Sequence, residues 1–315
     1  MDKGARVYVA GHQGLVGSAL VRYLAARNYQ PICISQQELD LRDNKAVDRF
    51  FTRCKPEYVF LAAAKVGGIA ANSNYPADFI RDNIFIESNI IEACYRYKVK
   101  KLLFLGSSCI YPQMAPQPIR EEYFLNGRLE PTNEAYAIAK IAGIKMCQAY
   151  NRQYGTNYIS VMPTNLYGPQ DNFSLEDSHV LPALIHRFHR AKISGEHEVV
   201  VWGSGKPRRE FLHVDDLADA CYHLMQTYNE SEIINIGSGK DITVAELAAM
   251  VKESVGFAGK IVFDTGKPDG TPRKLLDSGR INAMGWVPKI TLQEGIENTY
   301  QWFLEHIDRP AGNLK

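Results

Sequence analysis

Apolar positions in the first half of the chain fall into two alternating rhythms. Short β-rich runs without polar alternation read "RVYVAG", "QPICIS", "YVFLAAA" and "KLLFLGSS". Each is followed by a stretch in which apolar residues recur at helical spacing: "LVGSALVRYLAARN", "NKAVDRFFTRC", "ADFIRDNIFIESNIIEACYRY" and "EAYAIAKIAGIKMCQAYNRQYG". A further run, "NYISVMPTNLYG", reads as another strand. Continuous apolar strands separated by helices pair in parallel and are covered on both faces. The pattern therefore predicts an α/β fold, a doubly wound parallel sheet of Rossmann type. After Tyr167 the rhythm breaks, and loops rich in Pro, Gly and Asn (167–173, 203–208, 266–273) predict a smaller C-terminal lobe. The expected division is a first domain over 1–165, with 208–236 returning to it, and a lobe made of 166–207 and 237–315.

Gly11, Gly14 and Gly17 stand directly after the first strand and directly before a helix, in "GHQGLVG". Glycines let a backbone turn tightly and approach a pyrophosphate, while the helix N-terminus offers free N–H groups. The turn is thus a dinucleotide site, and the first domain its carrier. An NAD site usually offers an acid at the tip of the second strand for the ribose 2′-hydroxyl. Here the tip is Ser35-Gln36-Gln37, which removes repulsion against a 2′-phosphate and favours NADP, although no arginine stands there to grip it. Asp40 and Leu41 follow, placed to reach adenine or to cap the next helix.

Tyr136 and Lys140 lie four apart in "AYAIAK", on one face of the long fourth helix. An ammonium beside a phenol is expected to favour the phenolate and so to prime proton exchange with an alcohol or carbonyl oxygen. Ser107 and Ser108, at the end of the preceding strand in "GSSCIYP", add a hydroxyl able to polarise a carbonyl.

These residues resemble those of the extended short-chain dehydrogenases/reductases that handle nucleotide sugars. The segments "AAAKVGGI", "GSSCIYP", "EPTNEAYAIAKIAGIK", "MPTNLYGPQDNF", "SHVLPALI", "VVWGSGKPRREFLHVDD" and "KPDGTPRKLLD" are similar, nearly end to end, to the GDP-L-fucose synthase family. The resemblance implies a two-step reaction on GDP-4-keto-6-deoxy-D-mannose: 3,5-epimerisation, then reduction of the 4-ketone using NADPH. It implies that Cys109 and His179 move the protons beside the ketone, with Ser107 and Tyr136 holding the enolate oxygen. It places the coenzyme against Gly11, Gln13, Gly14, Leu15, Val16, Gly17, Asp40, Leu41, Ala63, Lys140, Pro163 and His179. It places the GDP-sugar against Val180, Arg187, Trp202, Arg209 and Lys274. Asn165 either orients the substrate or serves turn chemistry in "PTNLYG". Members of the family often carry an arginine where this chain has Gln13. Related 4,6-dehydratases carry an Asp-Glu pair after the strand hydroxyl, where this chain has Cys109-Ile110, so dehydration is not expected. A GDP-sugar reductase or epimerase acting on a neighbouring keto-sugar is the alternative enzyme, and an inactive dinucleotide-binding regulator a remote one.

Bulk composition narrows the partners. Lys and Arg total 36 against 35 Asp and Glu, a net charge of +1, which offers no global field for nucleic acid or an acidic membrane. Six scattered cysteines without a CxxC pair argue for reduced thiols in a cytoplasmic protein and against a disulfide framework or zinc site. His186 and His189 in "HRFHR" have no neighbour to complete a metal site, and no metal is expected. The strand pattern begins by Arg6, leaving no room for a signal peptide, and no apolar run has the length of a membrane span. The helices at about 78–97 and 135–153 are apolar on more than one stripe, through Phe79, Ile80, Ile84, Phe85, Ile86, Ile90 and Ile91 on the first. A helix covering one sheet face needs one stripe only, so these two helices are expected to pair with a second copy in a homodimer.

Overall fold

The computed structural model describes residues 1–308 except 176 and 268, and only the backbone at 69 and 70. In chain order the strands are β1 (Val7–Ala10), β2 (Tyr58–Leu61), β3 (Lys101–Leu105), β4 (Tyr158–Pro163), β5 (Asn165–Tyr167), β6 (Glu198–Trp202), β7 (Arg208–His213), β8 (Ile234–Ile236), β9 (Asp241–Thr243), β10 (Lys260–Asp264) and β11 (Arg273–Lys274). The helices are α1 (Leu15–Ala25), α2 (Asn44–Cys54), α3 (Ile69–Asn74), α4 (Pro76–Arg96), α5 (Glu134–Tyr154), α6 (Val180–Ser194), α7 (Val214–Thr227), α8 (Val244–Val255), α9 (Gly279–Ala283) and α10 (Leu292–His306).

The central sheet runs β1-β2-β3-β4-β8, parallel throughout. Its strands are buried along nearly their whole length, as their unbroken apolar runs require. One face packs on α2, α4 and α5, and the other on α1 and α7, each through its own apolar core. This is the doubly wound architecture expected. A third core, separate from both, gathers α6, α8, α10, Tyr167, Phe173 and the inner side of β6.

Three expectations change. The segment "QPICIS" is not a ladder strand: Ile32 alone bridges Tyr8, donating to Val7 O at 2.7 Å and accepting from Val9 N at 3.2 Å. Pro31 has no N–H to extend the pairing, and the Ser35 amide is taken by the Glu38 carboxylate at 3.2 Å. The run "NYISVMPTNLYG" divides into β4 and β5, which lie in different sheets. Pro163 ends the ladder, and Thr164 bonds both ways, its amide to Ile236 O and its hydroxyl to Glu210 O, so the chain leaves the central sheet there. Of 208–236, expected to return to the first domain, α7 and β8 join the central sheet, and of β7 Leu212 reaches its core. β7 pairs with β5, β9 and β11 beside the central sheet.

Candidate active site

The glycine turn is as tight as its spacing requires. Gly11 sits at φ +84°, and a Cβ there would stand 2.7 Å from the backbone of Ala63. A Cβ on Gly17 would fall 2.0 Å from Gly11 O. Helix α1 starts after Gly14 with neither a side-chain cap nor an acid in its first turn, which leaves its leading amides and positive dipole end for an anion. This is a cradle that fits a pyrophosphate. It opens into a cleft of about 780 Å³ lined by Gly11, Gln13, Gly14, Leu15, Val16, Gly17, Asp40, Leu41, Ala63, Ser107, Cys109, Tyr136, Lys140, Pro163, Asn165, His179 and Lys274. Every expected coenzyme and acid–base residue therefore faces one space. Arg42, unforeseen, also lines it, held to Asp40 by contacts of 2.8–3.2 Å. Its only signal in the sequence is the cation two places after Asp40.

Beyond β3 the chain turns through a single 3₁₀ turn, Ser108–Ile110. The Ser107 hydroxyl caps it, accepting from the Cys109 amide at 3.3 Å, so hydroxyl and thiol are fixed side by side. Helix α5 runs next to this turn and presents Tyr136 and Lys140. Lys140 Nζ lies 5.8 Å from the centre of the Tyr136 ring, donates to Leu105 O at 3.0 Å and contacts Glu87 Oε1 at 3.0 Å. Burial instead holds the Tyr136 phenol well above its ordinary range, with Cys109 and Glu87 adding to the rise. Glu87 gives no signal in the sequence, because it is one of four acids along α4, with Asp78, Asp82 and Glu92.

His179 occupies the N-cap of α6, and Gly68 N donates to Asp177 O at 3.2 Å, which ties the loop after β2 to the turn ahead of it. Burial, then Lys274, pushes the imidazole below its usual range. Burial pushes the Cys109 thiol up, and Lys274 opposes it. Lys274, expected at the nucleotide, thus bears on both proton-carrying candidates. It is paired in register with Arg209 across β11 and β7. Val180, Arg187, Trp202 and Arg209 do not line the cleft. Arg187 instead lies 5.3 Å from the Trp202 ring centre, with Lys267 Nζ at 5.2 Å from the same ring. Burial lowers both Arg187 and Arg209, and neither has a carboxylate within ion-pair distance among the described residues. Asp269 offsets the effect of burial on Arg209. The Asn165 side-chain amide donates to Glu210 O at 2.8 Å, a bond from β5 to β7 rather than one within the turn. Asp171, also missed, lines the cleft with Oδ2 unpartnered, and burial raises its carboxyl to about 7.

Residues 7–237 match the model of the NAD dependent epimerase/dehydratase family. The chain belongs to that family. Within it, the chain is 59% identical over 307 residues to GDP-L-fucose synthase 1 of Arabidopsis thaliana, covering 97% of this chain and 95% of the relative. It is 56% identical over 317 residues to GDP-L-fucose synthase of Escherichia coli strain K12, covering 98% and 99%. Among solved structures, a GDP-L-fucose synthetase from Naegleria fowleri bound to NADP superposes with a TM-score of 0.91 at 33% identity, over 98% of this chain and 95% of that one. Among the described residues no cluster of three or more His, Cys, Asp or Glu could hold a metal, and no helix is long and apolar enough to cross a membrane.

Proposed function

We propose that this chain makes GDP-L-fucose from GDP-4-keto-6-deoxy-D-mannose, inverting the two carbons beside the ketone and then reducing the ketone with NADPH. One observation carries the reading: a single cleft is lined by the glycine turn at one end and by Ser107, Cys109, Tyr136, Lys140 and His179 at the other. Gly11, Gln13, Gly14, Leu15, Val16, Gly17, Asp40, Leu41, Ala63, Lys140, Pro163 and His179 would hold NADP(H), which supplies a hydride when bound. Ser107 and Tyr136 would donate to the ketone oxygen, first steadying the enolate and then, from Tyr136, delivering the proton of reduction. Cys109 is assigned as the base and His179 as the acid of epimerisation. Lys274 supports the first assignment, since its charge favours a thiolate. Arg187, Arg209, Trp202 and Val180 would carry the GDP end, the indole stacking on guanine and the guanidiniums on the diphosphate, while Asn165 steadies the loop between the two ends.

The same reading divides the chain into a coenzyme domain over 1–165 rejoined by 214–236, and a substrate lobe over the remainder, of which 309–315 lie outside the described residues. It includes a homodimer through α4 and α5, and a cytoplasmic setting suited to six free thiols.

Mixing the protein with the keto-sugar and NADPH should consume NADPH absorbance and yield GDP-L-fucose. A product with uninverted carbons would end the reading. In deuterated water, His179→Gln should leave at least one of the two carbons without solvent label, and unchanged double labelling would remove His179 from its role.

A further inference from the structure

The basic side chains that line the cleft are all committed but one. Arg42 bonds both oxygens of Asp40 at 2.8–3.2 Å and contacts Asp82 at 3.4 Å. Lys65 Nζ lies 3.1 Å from Asp82 and 3.5 Å from Asp78, and Lys140 Nζ lies 3.0 Å from Glu87. Lys274 acts on Cys109 and His179, at the other end of the space. The exception is His12, inside the glycine turn, whose ring has no hydrogen bond or ion pair among the described residues.

Its place is the one where a 2′-phosphate falls. The segment after Pro31 runs parallel to β1, with Ile32 level with Tyr8. Carried four residues further, that register sets Gln36 level with His12, and both line the cleft. The tip of this second segment is where a bound dinucleotide presents the 2′-substituent of its adenosine ribose. Charge is sparse there, since Gln13, Ser35, Gln36 and Gln37 carry none. Glu38, the acid of the tip, is folded back: its Oε2 accepts from the Ser35 amide at 3.2 Å and from the Ser35 hydroxyl at 2.7 Å. Those bonds, then the charges of Arg53 and His12, hold its carboxyl below the ordinary range.

A phosphate met only by uncharged amides forgoes the charge-assisted bonds that make such contacts strong. We propose that His12 is the specificity residue for the coenzyme: as an imidazolium it pairs with the 2′-phosphate, so this chain prefers NADPH to NADH by a margin that pH sets. The proposal rests on reading the cleft as an NADP(H) site. An imidazole changes charge between about pH 5 and 8. At the acid end of that range the ring is a cation, a partner that a 2′-phosphate can use and a 2′-hydroxyl cannot. At the alkaline end the ring is neutral, and Glu38 carries the same sign as the phosphate. The other charged groups near the ring are Arg53, at the end of α2, which acts on the same Glu38, and the Asp40–Arg42 pair along the cleft. The margin therefore narrows as pH rises.

Isothermal titration calorimetry of NADP+ and NAD+ into the protein without sugar reads the margin as the ratio of their dissociation constants. Between about pH 6 and about pH 8.5 the preference for NADP+ should fall by about tenfold or more in the wild type, and should not fall in His12→Gln. The 2′-phosphate loses its last proton near pH 6, a change that both proteins share. An equal fall in both proteins, or none in the wild type, would overturn the proposal. A second measurement needs no variant. At about pH 7.5 the free phosphate is already a dianion, so NADP+ binding, compared between buffers of different ionisation heat, should take up a fraction of a proton that NAD+ binding does not. Equal proton uptake with the two dinucleotides would overturn the proposal by itself. A protein that bound neither would overturn the coenzyme reading, and the proposal with it.

Discussion

Asp171 carries a pH dependence that belongs to one carboxyl. Its Oδ1 accepts from the Asn172 amide at 2.8 Å, while Oδ2 is buried without a partner among the described residues. Burial raises the group from the ordinary 3.8 to about 7. The unfolded chain therefore releases this proton near pH 4 and the folded chain only near pH 7, so folding is progressively penalised as pH rises through that window. Above it the penalty is full. Asp171→Asn keeps the amide contact and cannot ionise. It should be more stable than the wild type at pH 8 by on the order of 2–4 kcal/mol, with the difference shrinking toward zero near pH 4, as read from urea unfolding at both pH values. Equal pH dependence in the two proteins would show that the carboxyl is already solvated. None of this was legible in "GPQDNF", which reads as turn chemistry, because a loop carboxyl is buried only by the segments that fold over it.

Among the elements, the parts legible in the sequence are those whose cause is local. β1, the glycine turn and α1 follow from an apolar run, three spaced glycines and a helical stripe, and they stand as read. The helices α4 and α5, and the hydroxyl and thiol at the end of β3, were legible for the same reason. The sheet of β11-β7-β5 was not: its outer members, Arg273–Lys274 and Asn165–Tyr167, are too short to show a period and exist only because β7 pairs with them. Nor was Glu87, whose partner is on another helix. Glu210 shows how such non-local parts are joined. Wholly buried, it accepts from Leu276 N at 3.0 Å and Gly239 N at 2.7 Å, and so anchors to β7 the stretch that carries Lys274. The glycine turn supplies the prediction at this scale. In Gly17→Ala the new Cβ would meet Gly11 O at 2.0 Å and His12 Cα at 2.7 Å, backbone atoms with no side-chain freedom to yield. The turn must open and the leading amides of α1 lose their aim. The variant should lose most NADPH affinity in a fluorescence titration, and melt lower, while Ala at Gly155, where nothing lies within 4 Å, should leave NADPH affinity unchanged.

For the whole molecule, the question is what covers the outer side of α4 and α5. These helices pack against each other on one face of the central sheet, and Ile90 and Ile91 are spent on that core. Phe85 remains 48% exposed, Ile138 41% and Tyr154 44%, with Tyr95 stacked on Tyr154 at 4.2 Å between ring centres. Exposed aromatic and aliphatic side chains along both helices of one pair are the kind of surface that associates. A second copy presenting the same two helices about a two-fold axis would bury these side chains as a four-helix contact. Light scattering should give the mass of two chains at micromolar concentration. Phe85→Glu, which places a charge on a half-exposed position of α4, should give one chain with an unchanged far-ultraviolet spectrum. A wild type that scatters as a monomer would leave the surface to some other use and remove the dimer.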